Sequence, residues 1–144
     1  MKILLIVWSV ISIILEAKYL FKSEKSKSRE TVLNAYRVIE NKNKMTELQF
    51  ELTLAIGFII SILFSATRIL LSLVLIKNSY FLYFSLFVLI FNGVFLTSLS
   101  NVYHSNLHDD DNTNILANHL ILKDVYSIVY IAYGIITIFL LGGV

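Results

Sequence analysis

The sequence predicts an all-α membrane protein, a four-helix transmembrane bundle running up-down-up-down. Three observations carry that expectation. The stretch 52–76 runs 25 residues with a single charge, Arg68. A helix crosses a bilayer with about 20 mostly apolar residues, so this stretch can span with some tilt. Three further apolar stretches of similar kind follow or precede it, at about 3–21, 80–100 and 120–141. Finally, 57% of the 144 residues are hydrophobic and only 15% charged, against about 25% charged in ordinary soluble domains. The mean hydropathy of +0.76 agrees. The chain therefore reads as one integral membrane domain over 1–144, with no room for a separate soluble one.

Composition also excludes chemistry. There are no cysteines, so disulfide exchange, thiol nucleophiles and cysteine-ligated metals are out. There are no prolines, so the broken helices that many transporters use at their binding sites are not expected. The abundance of Ile, Asn, Lys, Phe and Tyr points to an AT-rich genome.

The first span, 3–21, is apolar up to Leu15 and then carries Glu16 and Lys18. It can be read as a cleaved signal peptide, but no A-x-A-like site follows the apolar core. Residues 22–47 form a polar loop with seven basic residues, Lys22, Lys25, Lys27, Arg29, Arg37, Lys42 and Lys44. Within it Val32, Ala35, Tyr36 and Ile39 recur at helical spacing, which predicts an amphipathic helical segment between spans one and two. Asn41 to Lys44 is the expected break, and T-E-L-Q at Thr46 to Gln49 reads as a capping box opening the second long helix. Lys77, Asn78 and Ser79 make a turn short enough to force spans two and three side by side and antiparallel. The second polar loop, 101–119, contains Asp109, Asp110 and Asp111, which favour turns. Lys123 and Asp124 then fall in the first turn of span four.

Loops 22–47 and 101–119 face one side of a four-span protein. With the adjoining helix ends they hold nine Lys/Arg, against Lys2 and Lys77 opposite. Basic bias sets orientation, so both loops are expected in the cytoplasm and both termini outside, in a membrane that is most simply a bacterial plasma membrane.

Arg68 is the residue that most demands an explanation, because a guanidinium in hydrocarbon costs about 2.5 kcal/mol or more. It lies roughly 12 Å below the outer end of its helix at 1.5 Å per residue. Gly57, Ser61, Ser65 and Ser72 share its face at spacings of four or seven, a small-residue pattern that lets helices pack closely. Glu16, Asn92, Tyr130 and Tyr133 lie at comparable depth on the other spans. These residues predict an intramembrane polar cluster of Arg68, Glu16, Asn92, Tyr130 and Tyr133. Such a cluster can hold an ion, a proton or an anionic ligand, or only hold the bundle together, with Arg68 snorkelling or pairing with Glu16.

Two further features compete with blander readings. His104, His108 and His119, beside Asp109 to Asp111, are weak candidates for metal ligands, with ordinary surface histidines the plainer expectation. The basic loop 22–47 can meet anionic lipid or a cytoplasmic partner, or it only fixes topology. No phosphate-cradling glycine loop and no Ser-His-Asp grouping is present. No catalytic residue, cofactor or nucleic-acid partner is expected.

In layout the chain resembles two small four-span families. Glu16 sits where small multidrug exporters carry a first-span carboxylate, and the sizeable first loop is similar to that of the microsomal glutathione transferases. The exporters' short first loop and glycine- and proline-bearing helices are missing. So is the transferases' Arg-, Asn- and Glu-containing motif, which Leu48 to Ala66 do not match. The resemblance is of architecture and implies no activity. The expected function is that of a small multi-pass protein acting through protein contacts, as an accessory subunit or an immunity- or exclusion-type protein. The alternative is an oligomeric channel, holin-like pore or small transporter built around Arg68 and Glu16. The expected partners are the lipid bilayer and either a second protein or further copies of the chain.

Overall fold

A computed structural model describes the whole chain except residues 43, 105–111 and 143–144, and the side chains of residues 36, 39, 41, 42, 112 and 113. The described residues form five helices joined by short turns, with no strand: α1 (Lys2–Leu20), α2 (Glu24–Lys42), α3 (Glu47–Leu75), α4 (Ser79–His104) and α5 (Asn112–Gly142). Four of them, all but α2, are long and apolar enough to cross a membrane.

Local chemistry fixes the ends. At the start of α3, Thr46 Oγ1 accepts from the Gln49 backbone N–H while the Gln49 side chain accepts from the Thr46 N–H. The expected capping box is therefore formed, and it satisfies two of the donors that a helix start leaves unpaired. The turn of 76–78 is closed by the Asn78 side chain, whose Oδ1 accepts from the Phe81 N–H at 3.1 Å.

Side-chain pairs give the helix directions. Ser65 of α3 meets Asn92 of α4, and Glu51 near the start of α3 meets His104 at the end of α4. Between α4 and α5 the pairs are Ser85 with Tyr133, Asn92 with Tyr126 and Ser98 with His119. Between α1 and α5 they are Glu16 with Lys123 and Ile13 with Gly134. Each of these neighbours is antiparallel, so α1 and α4 run one way and α3 and α5 the other. The long helices form a ring in which α5 lies between α1 and α4, and α3 closes loosely onto α1.

Two contacts dominate the packing. An aromatic column fills the α4–α5 seam. Phe95 stacks on Tyr126 at 4.3 Å, Tyr126 on Tyr130 at 4.4 Å, and Phe81 on Tyr133 at 5.4 Å. Such pairs favour offset stacking because the ring quadrupoles repel face to face. On the other side of α5, a Cβ at Gly134 would sit 2.8 Å from Ile13 Cγ1, so the hydrogen side chain is what lets α1 approach there.

The helices differ from the expected spans mainly in the second polar loop. Residues 101–104 continue α4, and α5 begins at Asn112. Asn114 to His119 are thus helical, because Ile115, Leu116 and Leu120 continue the apolar side of α5 one and a half turns earlier than the polar composition indicated. Lys123 and Asp124 are interior positions of α5, not its first turn. The amphipathic segment does form, as α2, with Ala35 fully buried. Tyr36 and Ile39 of its expected apolar face lie outside the described side chains.

Candidate intramembrane polar site

Arg68 is 3% exposed. Its Nη1 donates to Ser12 Oγ at 3.1 Å and its Nη2 to Ser9 Oγ at 3.4 Å, both on α1. The guanidinium carbon lies 5.3 Å from the Tyr133 ring centre and 5.8 Å from that of Tyr130. Its Nε is buried without a hydrogen-bond partner. Arginine therefore bridges α3, α1 and α5 through hydroxyls and rings. Among the described residues no carboxylate lies within salt-bridge distance of it.

Below it in sequence depth the hydroxyl and amide groups bond to each other. Asn92 Nδ2 donates to Ser65 Oγ at 3.1 Å, Tyr126 OH donates to Asn92 Oδ1 at 3.3 Å, and Tyr130 OH donates to Ser65 Oγ at 3.2 Å. On the other side of Arg68, Tyr133 OH lies 2.6 Å from Ser72 Oγ and accepts from Ser85 Oγ at 3.4 Å. Ser72 is itself anchored on the Arg68 carbonyl one turn back. Arg68, Asn92, Tyr130 and Tyr133 thus share one region of the interior, reached from three helices, with Ser9 and Ser12 of α1 adding a fourth.

Glu16 is engaged differently. Its carboxylate accepts from Lys123 Nζ at 3.2 Å and from Ser127 Oγ at 2.7 Å. The two charged side chains are only 18% and 23% exposed. Lys123 also sits over three rings, 4.8 Å from Tyr126, 5.1 Å from Tyr19 and 5.2 Å from Phe95. Glu16 and Arg68 line the same cavity but hold separate partners. A second ion pair, Lys27 to Asp124 at 2.7 Å, ties α2 to α5, with Lys27 almost fully buried. Lys22 and Glu30 form a third, more exposed pair at the same end.

From the sequence alone Lys123 falls at the membrane surface, which hides this role. The signal was present: Lys123, Tyr126, Ser127, Tyr130, Tyr133 and Thr137 recur at three- and four-residue spacing, one face of a single helix.

The expected packing face divides. Ser72 is fully buried and Ser65 bonds to Asn92 and Tyr130. Ser61 is half-buried, and a Cβ at Gly57 would have nothing within 4 Å. Only the second half of the stripe is used for close packing.

The histidines separate as well. His104 Nε2 lies 2.7 Å from Glu51, whereas His119 is buried, 3.0 Å from Ser98 Oγ and stacked on Phe95 at 5.3 Å. His108 and Asp109 to Asp111 lie outside the described residues.

No known family model, no curated protein and no solved structure matches this chain.

Proposed function

We propose that this chain is an integral protein of a bacterial plasma membrane, with both termini outside and the polar segments 22–47 and 101–119 in the cytoplasm. In this reading it is not an enzyme. It acts through contacts with another membrane protein, as an accessory subunit or an immunity- or exclusion-type protein. The observation that carries the proposal is the mounting of α2. A buried Lys27 paired with the partly exposed Asp124, and the buried Ala35, hold this helix against the bundle, while Lys25, Arg29, Arg37 and Glu40 stay exposed. A docked helix with a charged outer face is a preformed surface for a cytoplasmic partner, because its ordering cost is already met.

Purification in nanodiscs, with mass spectrometry of what co-purifies, tests this directly. A stable heteromeric partner that is lost in an Arg29→Glu/Arg37→Glu variant supports the proposal. A homo-oligomer with no partner overturns it. The chain lacks cysteine, so single cysteines at Asn78 and Ser26 report orientation. The proposal expects an impermeant maleimide to reach Asn78→Cys from outside and Ser26→Cys only after lysis.

The second reading, an oligomeric pore or small transporter, is favoured by one observation: a buried Arg68 whose charge meets hydroxyls and rings instead of a carboxylate. Flux through liposomes that is abolished by Arg68→Leu, with insertion unchanged, would establish it.

A further inference from the structure

A guanidinium presents five N–H donors in a planar fork that matches a carboxylate or a phosphate. In Arg68 two of these bond to the neutral hydroxyls of Ser9 and Ser12, and the buried Nε has no partner. Beyond the rings of Tyr130 and Tyr133, no carboxylate among the described residues meets its charge. Arg68 borders a crevice of about 190 Å³ between α1 and α3, whose polar lining includes Ser12, Glu16, Ser61 and Ser65. Glu16 does not supply the missing anion, because Lys123 and Ser127 already hold its carboxylate.

The crevice opens sideways. The Trp8 and Phe64 rings meet at 4.5 Å and close the α1–α3 seam at the level of Arg68. Toward the other end Leu15, which also lines the crevice, is 61% exposed. With the four helices placed across a bilayer, that mouth looks into lipid, not into either aqueous phase. Its volume equals roughly six waters at about 30 Å³ each, enough for a headgroup and too small for an acyl chain.

We propose that this crevice binds the anionic head of an amphiphile, a carboxylate or phosphate on Arg68, with the chain left in the lipid-facing seam between α1 and α3. Ser9 and Ser12 hold the guanidinium in place, and the serines of α3 offer further hydroxyls to the head. The inference rests on the bilayer placement proposed above, and it names a ligand class that neither functional reading supplies.

Trp8 is the only tryptophan in the chain and lines the crevice, so contact quenching by brominated amphiphiles reads the site. The protein is reconstituted in phosphatidylcholine nanodiscs and titrated with dibromostearate or its methyl ester. In parallel, discs are doped with dibromo-phosphatidylglycerol or dibromo-phosphatidylcholine. The expected result is saturable quenching by the anionic member of at least one pair and only weak, linear quenching by its neutral or zwitterionic counterpart. In Arg68→Gln the half-saturating concentration rises tenfold or more. Selectivity for the acid over its ester identifies a free lipid acid, and selectivity for phosphatidylglycerol over phosphatidylcholine identifies a phospholipid head. Either supports the proposal. Equal quenching within both pairs overturns it using wild-type protein alone, whether or not Arg68→Gln folds. Failure of the protein to co-elute with discs removes the bilayer placement, and the site with it.

Discussion

The Glu16–Lys123 pair makes an unequal demand on its two members, and that inequality can be measured. At 3.2 Å two unit charges attract by about 5 kcal/mol at an effective dielectric constant of 20. Desolvation of both groups offsets much of this. Lys123→Met leaves the Glu16 carboxylate with one hydroxyl, that of Ser127, in a site where its side chain is 18% exposed. Breaking a buried pair from one side costs about 3–5 kcal/mol, and the remaining hydrogen bond and partial exposure bring the expectation to about 2–4 kcal/mol. Glu16→Gln is milder. The amide can still accept from Ser127, and the Lys123 ammonium remains over the rings of Tyr126, Tyr19 and Phe95. Each such contact is worth about 0.5–1 kcal/mol, so the expected loss is about 1 kcal/mol. The double variant removes the unpaired carboxylate and should be more stable than Lys123→Met alone, with a coupling of about 1–3 kcal/mol. Reversible unfolding in mixed micelles on adding SDS, followed by circular dichroism, supplies the four free energies. Equal losses for the two single variants, or a double variant equal to their sum, would refute the reasoning.

Three other outcomes follow from the packing. Gly134→Val forces two methyl groups into Ile13, whose Cγ1 already lies 2.8 Å from a Cβ at this position. The loss should be about 1–3 kcal/mol and largely recovered by adding Ile13→Ala, measured by the same unfolding. Tyr133→Phe should cost only about 0.6–1.7 kcal/mol, the range for hydrogen bonds between membrane helices. Ser72 and Ser85 fall back on the carbonyls of Arg68 and Phe81, so a loss above 3 kcal/mol would contradict this account. Thr46→Ala should cost about 1 kcal/mol and appear as faster amide hydrogen exchange at Gln49, with the middle of α3 unchanged.

Much of the helix inventory is legible in the residues because helix length is tied to bilayer thickness. An apolar run such as 52–76 has few other uses. The capping box at Thr46 was also legible, since its four residues make their hydrogen bonds locally. What hydropathy does not encode is which neighbour takes each polar group. Ser9, Ser12 and Glu16 share one face of α1, at spacings of three, four and seven. Ser9 and Ser12 lie level with Arg68, while Glu16, one turn beyond Ser12, is held by Lys123 and Ser127 of α5. The start of α5 is hidden for a different reason: Asp109 to Asp111 favour turns, and the polar residues Asn114, Asn118 and His119 extend that polar run past the point where the helix begins. His119 is nevertheless buried, because Ser98 and Phe95 receive its ring.

Lys123 and Arg68 are handled in opposite ways, and the difference bears on where activity resides. Lys123 has a carboxylate, a neighbouring hydroxyl on that carboxylate, and three rings. Its charge is neutralised inside the bundle, and its loss should cost stability. Arg68 has hydroxyls and rings but, among the described residues, no anion, although Glu16 lines the same cavity and follows Ser12 by one turn on the same face of α1. A bundle built only for stability would gain from pairing the guanidinium or replacing it with an apolar side chain of similar volume. Retaining an unpaired guanidinium beside an open seam is the arrangement expected where the anion comes from outside the chain. Stability measurements on Arg68→Met therefore separate the two roles. A neutral or stabilising effect, together with lost binding of anionic amphiphile, assigns Arg68 to ligand recognition. A large loss of stability without any change in binding assigns it to the scaffold.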